Sequence, residues 1–205
     1  MLDTFWNIKI ILAVISGLIV ILVAFLPYFR DMFLRRTKPH VYTWLIWTIT
    51  QGTATVAGFW EGKGGWGMLA LAIGTVFTAF IFLLSLKYGT KNITKGDSVV
   101  LVIALLAIIV WWQLKSPLLA VFMVSAIDFL GYIPSFRKTF EEPWTETSIS
   151  WAAFSVSNFL SILALSSYNF LTLTFIITIT VANIILLTIC LLRRRVISAP
   201  SVMAK

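Results

Sequence analysis

The sequence predicts an all-α transmembrane protein whose seven helices form two similar halves joined by a linker helix. Three observations lead to this fold class. The chain of 205 residues is 60% hydrophobic and only 12% charged, which is far from the composition of a soluble domain. Its apolar residues form seven runs, and a helix needs about 20 mainly apolar residues to cross a bilayer. One stretch of the chain also recurs about 107 positions later, which indicates an internal repeat.

The predicted helices follow the apolar runs in order. They are 7–28, 41–60, 66–86, 98–114, 117–136, 148–165 and 170–192. Pro117 separates the fourth run from the fifth, because proline is favoured in the first turn of a helix. The first run lacks a basic leader followed by a small-residue cleavage site, so we interpret it as a retained helix and not as a signal peptide.

The basic residues predict the orientation of these helices. Of the 16 Lys and Arg, 13 lie in the loops after helices one, three and five or in the C-terminal tail, and only Lys9, Lys63 and Lys115 lie on the other side. Because Lys and Arg concentrate in cytoplasmic loops, the N-terminus is predicted outside and the C-terminus in the cytoplasm. Topology also explains the net charge of +8. Without a basic stripe carrying interleaved aromatics, we expect no nucleic-acid partner.

The repeat begins at two proline motifs, Pro27-Tyr28-Phe29-Arg30 and Pro134-Ser135-Phe136-Arg137. In the same register, three pairs share their chemistry: Trp44 and Trp151, Thr48 and Ser155, and Gln51 and Asn158. Both motifs close a helix at the predicted cytoplasmic side, so the two copies run in the same direction. The predicted domains are a first three-helix bundle (1–87), a linker with the fourth helix (88–116), a second three-helix bundle (117–195) and a cytoplasmic tail (196–205). Parallel repeats of this kind build one class of transporters.

With this 3+1+3 plan and a proline motif in each half, the chain resembles the PQ-loop and SWEET superfamily of small transporters, most clearly over 27–165. Tyr28 and Ser135 follow the two prolines where the superfamily has Gln. The segment Lys38-Pro39-His40, with Thr43-Trp44 after it, is similar to a bacterial branch of that superfamily with no assigned substrate. The resemblance implies a multi-pass protein of the bacterial inner membrane that moves a small solute.

Two polar stripes are the candidate solute site. Trp44, Thr48 and Gln51 share one face of helix two, and Trp151, Ser155 and Asn158 share one face of helix six. Facing each other, the stripes would line a cavity suited to a neutral solute that is rich in hydroxyls or bears a ring. The alternatives are that the polar side chains bond neighbouring helices and that the two tryptophans lie in the membrane interface.

The resemblance adds one candidate site residue and argues against a sugar as the substrate. The substrate-contacting tryptophans of sugar-transporting SWEET proteins would fall near Val56 and Ile162, so they do not carry over. Asn183 resembles the substrate-contacting Asn of the seventh helix, whereas its counterpart in the third helix is Val76.

Asp128 is the one acidic residue deep within a predicted span, and such a residue marks a functional site by default. We expect it to exchange a proton and couple solute movement to the proton gradient. The alternative is a structural aspartate held by Ser125, Tyr132 or an amide. Gly131, Pro134 and Pro27 are candidate hinges, because proline removes a backbone donor and bends a helix. Arg137, like Arg30, is expected to anchor lipid phosphate.

No catalytic set, metal cluster or phosphate loop is recognisable, so neither an enzyme nor a metal or cofactor is expected. The single Cys190 and the single His40 have no partners at ligand spacing. The expected partners are a small polar solute and the lipid bilayer, and a homo-oligomer stays open. Two rival functions remain, a vitamin-precursor transporter of the nicotinamide riboside type and a cargo receptor like the KDEL receptor.

Overall fold

A computed structural model describes residues 2–60, 63–111, 113 and 116–199 of the chain. Within these ranges all regular structure is helical and no strand is present. Seven helices are found, in the order that the apolar runs predict. The predicted end of the fourth span at 114, Lys115 and the tail beyond 199 lie outside the described residues.

Helix α1 is continuous but changes its winding twice. It consists of an α-helix Leu2–Ile19, a π-helical stretch Val20–Phe25 and an α-helix Leu26–Phe33. The predicted end at 28 was therefore too early, because Pro27 does not stop the helix. Proline lacks the N–H that an α-helix needs at this point, and the wider π winding just before it absorbs the irregularity.

The other helices begin close to their predicted positions. They are α2 (Val41–Trp60), α3 (Leu69–Tyr88), α4 (Lys95–Trp111), α5 (Pro117–Glu141), α6 (Ser148–Ala164) and α7 (Phe170–Arg194), with 3-10 turns at Gly65–Met68 and Pro143–Thr145. Helix α5 passes through Pro134 and ends beyond its predicted limit of 136. Both proline motifs thus lie inside helices and not at their ends.

The helices pack in two groups that contact each other in a reciprocal way. Helix α3 packs against α1 and α2, and α7 packs against α5 and α6. Between the groups, α1 contacts α6 and α2 contacts α5, while α4 lies against α5 and α2. The contacts among α1, α2, α3, α5, α6 and α7 each have a counterpart in the other group, as a two-fold relation between the groups would require, whereas those of α4 have none. The parallel repeat and the orientation of the termini remain predictions.

Among the described residues, three helical segments are long and apolar enough to cross a membrane, Trp6–Phe33, Gly65–Tyr88 and Phe170–Arg194. Large apolar side chains lie exposed on the outside of the bundle, among them Leu22, Leu83, Leu106, Phe159 and Ile184. Soluble proteins seldom expose apolar surface this extensively, so the bundle has the exterior of a membrane protein. Its largest buried core is aromatic and contains Tyr28, Trp44, Trp47, Tyr132 and Trp151.

Candidate functional site

A small cavity opens inside this aromatic core and is lined by helices of both groups. Its aromatic walls are Phe25, Trp44, Trp47, Tyr132, Trp151 and Phe154, and its polar groups are Gln51, Thr78, Asn158 and Asn183. No charged side chain lines it within the described part of the chain. The cavity measures about 40 Å³, which is room for two or three water molecules. In this conformation the cavity is therefore too small for a solute that bears a ring.

Three carboxamides reach this cavity, those of Gln51, Asn158 and Asn183. Asn183 Oδ1 accepts a hydrogen bond from Tyr132 at 2.8 Å, whereas the Thr78 hydroxyl near Gln51 Oε1 donates to the Gly74 carbonyl at 2.7 Å. The Nδ2 group of Asn158 is buried and has no partner among the described residues. An unpaired buried donor costs about 1 to 3 kcal/mol, so this amide can donate to a molecule inside the cavity.

Three tryptophans from α2 and α6 meet at the wall of the cavity. The ring centroids of Trp44 and Trp47 lie 5.1 Å apart, and Trp151 lies 6.5 Å from the first and 5.9 Å from the second. Tyr132 of α5 packs on Trp47 at 4.3 Å. Such rings offer flat apolar surfaces and quadrupolar faces to a ligand. Trp44 and Trp151, for which a place in the membrane interface was the alternative, are only 2% exposed.

The cavity residues are paired along the sequence. Four pairs lie about 107 positions apart and match in character: Phe25 with Tyr132, Trp44 with Trp151, Trp47 with Phe154, and Gln51 with Asn158. Only the last pair and the tryptophan pair were identified from the sequence. The repeat offset itself could have identified the other two.

Thr48 and Ser155, two predicted solute contacts, do not line the cavity. The Thr48 hydroxyl donates to the Trp44 carbonyl at 2.7 Å, and the Ser155 hydroxyl donates to the Trp151 carbonyl at 2.9 Å. Both side chains therefore satisfy their own helix, a common choice for hydroxyls four residues after a carbonyl.

A neighbouring stripe, which the sequence analysis missed, joins the two groups of helices. On α2, Thr43 accepts a hydrogen bond from Ser135 at 3.0 Å. At the matching position of α6, Ser150 donates to the Ala24 carbonyl at 2.7 Å. About two helical turns farther along α6, Ser157 forms a hydrogen bond with Ser16 of α1 at 2.8 Å. The signal available in the sequence was again the repeat offset.

Asp128 is fully buried beside the cavity but is not part of its lining. Its Oδ1 atom accepts a hydrogen bond from Thr50, which occupies the position of α2 that corresponds to Ser157 in α6. Its Oδ2 atom has no partner in the described chain. Ser125 and Tyr132, which were the expected partners if Asp128 were purely structural, do not bond its carboxyl. Ser125 donates to the Val121 carbonyl, and Tyr132 donates to Asn183. A carboxyl so placed can carry charge only at a cost of several kcal/mol.

The candidate hinges are found in tightly packed surroundings. Gly131 faces α2 so closely that a Cβ atom would lie 3.0 Å from Ile46 and 3.1 Å from Trp47 Nε1. Its lack of a side chain is thus explained by the close approach of two helices. Pro27 follows the π-helical stretch of α1, and Pro134 lies inside α5. Hinge motion at these three residues stays a prediction.

A buried ion pair lies beside Trp151, at one end of the bundle. Lys138 of α5 pairs with Glu146 and also donates to the Lys38 carbonyl at 2.9 Å. Glu146 Oε2 in turn accepts the indole N–H of Trp151 at 3.0 Å. Both charged side chains are almost completely buried. This Lys138–Glu146 pair therefore links the wall of the cavity to the loops at that end of the bundle.

A second polar cluster holds the loop after α3 in place. Arg137 donates to Asp97 at 2.7 Å and to Glu141 at 2.7 Å, so its guanidinium is occupied by protein carboxylates, and its role as a lipid anchor stays a prediction. Burial lowers the pKa of His40 to about 4 despite the nearby Asp97. Burial raises the pKa of Asp97, but hydrogen bonds from Arg137 and from Thr94 outweigh it, so the net pKa lies below its usual value. The described residues contain no cluster that could hold a metal.

The opposite end of the bundle is joined by fewer contacts. Lys9 of α1 donates to the Leu165 carbonyl, and the Ser166 amide donates to the Gly64 carbonyl at 3.1 Å. Gly67 lies against the Leu165 backbone, where a Cβ atom would approach to 2.8 Å. Contacts thus join the two groups of helices at both ends of the bundle, and those at this end are mainly to backbone atoms.

Comparison of the chain with models of protein families, with curated proteins and with solved structures gives no match.

Proposed function

We propose that this chain is a small membrane transporter that moves a neutral polar solute through the cavity between its two groups of helices. The observation that carries the proposal is the uncharged cavity, in which amide N–H groups and tryptophan faces from both groups converge. We further propose that the chain is a multi-pass protein of the bacterial inner membrane with the PQ-loop and SWEET arrangement. The N-terminus is then outside and the C-terminus in the cytoplasm.

The matched residues around the cavity favour transport over a purely structural role. A structural core needs close packing, and it gains nothing from a buried amide that lacks a partner. Asn158 has such an amide, and Gln51 occupies the corresponding position in the other group. Ligand sites of parallel-repeat transporters lie at the interface of the repeats near mid-membrane. The cavity lies between the two groups of helices and is lined by α1, α2 and α3 of one group and by α5, α6 and α7 of the other, which supports such a site.

The chemistry of the walls indicates the class of solute. The amide Nδ2 group of Asn158 lacks a partner among the described residues, whereas the oxygen of Asn183 already accepts a hydrogen bond from Tyr132. The tryptophans favour a flat face. A solute with carbonyl, ring-nitrogen or hydroxyl acceptors and a ring therefore suits the site. A strongly charged solute does not, because nothing in the lining would compensate its charge.

The small volume of the cavity requires movement of the helices. Space for two or three water molecules cannot hold a ring-bearing solute, so the two groups must separate at one end and then at the other. Such a movement would break the contacts, described above, that join the two groups at each end of the bundle. Rocking of one repeat against the other is the usual form of alternating access.

Asp128 is the proposed site of proton coupling. It lies on α5 and is bonded to Thr50 on α2, so its hydrogen bond spans the two groups that would move. Loss or gain of a proton at this carboxyl would change the strength of that link. Proton uptake would then be tied to the separation of α2 from α5.

The two rival functions make different demands on the cavity. A transporter of the nicotinamide riboside type needs an aromatic enclosure, and the rings of Trp44, Trp47, Trp151 and Tyr132 supply one from three helices. It thus remains the favoured alternative. A cargo receptor for a peptide needs charge in the cavity to meet the peptide termini, and the lining described here has none.

Uptake into proteoliposomes tests the proposal. The full chain would be reconstituted and screened with labelled sugars, amino acids and nucleosides, and the Asn158→Leu variant would be compared with wild type. Asn7→Leu is the matched control, because Asn7 is exposed on α1. We expect Asn158→Leu to lower uptake of the accepted solute by roughly tenfold or more, the effect of one lost hydrogen bond of about 1.5 kcal/mol. Equal uptake by Asn158→Leu and wild type, or no uptake of any class, would refute the proposal.

A further inference from the structure

A second cavity, separate from the central one, lies where α1 and α3 end. It measures about 280 Å³ and is bordered by Arg35 and Lys38 of the loop after α1, by Lys87 and Lys91 at the end of α3 and beyond it, and by one carboxylate, Glu142. We propose that this basic pocket binds the phosphate group of an anionic phospholipid. The inference is independent of transport, because the pocket shares no lining residue with the central cavity.

The charges of the basic pocket are not compensated by the protein. None of its four cations forms an ion pair within the described residues. The Arg35 guanidinium lies 4.4 Å from the ring centroid of Tyr88 and donates to the Lys87 carbonyl at 3.1 Å. The single acidic residue, Glu142, accepts a hydrogen bond from Asn92 at 3.0 Å. Four cations and one carboxylate leave the pocket with a surplus of positive charge, and phosphate is the anion that Lys and Arg recognise most often at a membrane surface.

The walls of the basic pocket are held in place by backbone hydrogen bonds between loops. The Thr90 amide donates to the Pro39 carbonyl at 3.0 Å, and the Lys38 amide donates to the Thr145 carbonyl at 3.2 Å. Arg137 fixes the next turn through the Asn92 carbonyl at 2.8 Å. Because these bonds exist without a ligand, binding need not pay for ordering of the loops.

The surroundings of the basic pocket favour a lipid as the source of the phosphate. Leu83 and Leu86 on α3 and Phe33 on α1 expose large apolar surfaces just before the basic residues, with exposed fractions of 59%, 62% and 52%. An acyl chain lying along α3 would contact these side chains while its headgroup reaches the pocket. Free phosphate would use the cations alone and leave this apolar surface uncovered.

Native mass spectrometry of the full chain released from detergent tests the assignment. The probes are phosphatidylglycerol, phosphatidylcholine and inorganic phosphate. The pocket variant is Lys87→Gln with Lys91→Gln, and the control is Arg36→Gln with Lys95→Gln. The control removes the same charge from two exposed residues that do not line the pocket, Arg36 in the loop after α1 and Lys95 at the start of α4. We expect phosphatidylglycerol to bind wild type and control with similar affinity and to bind the pocket variant roughly 30-fold more weakly, the effect of two cations near a membrane surface.

Three results would overturn the inference. Equal weakening in the pocket variant and the control would mean diffuse attraction to a basic surface. Equal binding of phosphatidylcholine and phosphatidylglycerol would mean that the charge of the headgroup is not recognised. Displacement of phosphatidylglycerol by inorganic phosphate at comparable concentration would assign the pocket to the free anion and remove the lipid from the proposal.

Discussion

The indole nitrogen of Trp47 donates a hydrogen bond to the main-chain carbonyl of Asp128, with 3.3 Å between the two atoms. Trp47 lines the central cavity, whereas the Asp128 side chain lies behind the wall and bonds Thr50. One short segment of α5 thus contacts α2 through both its backbone and its carboxyl. Trp47 therefore contacts both the cavity and the backbone of the residue that carries the buried carboxyl.

We therefore expect Asp128→Asn to abolish the pH dependence of transport. The amide is nearly isosteric and can still bond Thr50, but it cannot exchange a proton, so solute movement would continue without coupling to the gradient. The measurement is the initial rate of uptake into proteoliposomes with and without an inward proton gradient. Thr50→Val is the companion variant, because it removes the hydrogen bond and leaves the carboxyl. An unchanged rate and an unchanged response to the gradient in Asp128→Asn would exclude coupling through this residue.

Gly131→Ala is expected to destabilise the protein by about 1 to 3 kcal/mol, the usual cost of adding a methyl group to a packed core. Its Cβ atom would lie 3.0 Å from Ile46 and 3.1 Å from Trp47 Nε1. Separation of the helices would also lengthen the bond between Trp47 and Asp128. Gly96→Ala is the control, because a Cβ there meets only Thr94 at 3.6 Å. Thermal unfolding in detergent measures both variants, and equal midpoints would argue against close packing at Gly131.

Helical periodicity and the repeat together predicted much of the central cavity. They placed Trp44, Gln51, Trp151 and Asn158 on facing stripes, and all four residues line it. Periodicity fixes which side chains share a face, and the repeat fixes which faces are equivalent. Nothing in either signal gives the rotation of α2 against α5, which brings Trp47 into the wall and leaves Asp128 behind it.

The helix ends and the hydroxyl contacts were less predictable for local reasons. A proline normally ends a helix, yet α1 continues to Phe33 because the π-helical stretch before Pro27 accommodates the missing hydrogen bond. Thr48 and Ser155 share the face of the cavity residues, but each hydroxyl bonds a carbonyl of its own helix. Sequence spacing cannot distinguish a hydroxyl that faces a ligand from one that bonds its own backbone.

His40 predicts a loss of stability in mild acid. Its side chain is fully buried, and burial lowers its pKa to about 4 from the usual value of about 6.5. The unfolded chain therefore takes up a proton between these two pH values while the folded chain does not. Stability is full above pH 6.5, falls as the pH drops from about 6.5 to about 4, and levels off below. By linkage the loss amounts to at most about 3 kcal/mol.

Unfolding midpoints measured at pH 7 and pH 5 in the same detergent test this prediction. His40→Gln keeps a polar group of similar size and cannot be protonated, so its midpoint is expected to change less than that of wild type over this interval. The pKa values of Asp97 and Glu141 are lowered, so the stability that these carboxylates contribute is lost only at still lower pH and does not affect the comparison at pH 5. An equal drop in wild type and His40→Gln would assign the acid sensitivity to other groups.

The Lys138–Glu146 pair predicts that a second substitution, at Glu146, restores most of the stability that is lost when Lys138 is replaced. If either charge acted alone, the second substitution would not restore stability. Lys138→Met leaves the Glu146 carboxylate buried and unpaired, and breaking a buried ion pair from one side costs about 3 to 5 kcal/mol. Adding Glu146→Gln removes the orphaned charge and retains an oxygen for the indole N–H of Trp151. We expect the single variant to have a strongly lowered unfolding midpoint and the double variant to recover most of it. A double variant as unstable as Lys138→Met would contradict this prediction. It would mean that the hydrogen bonds of Lys138 to the Lys38 and Thr145 carbonyls, and not its charge, stabilise this end of the bundle.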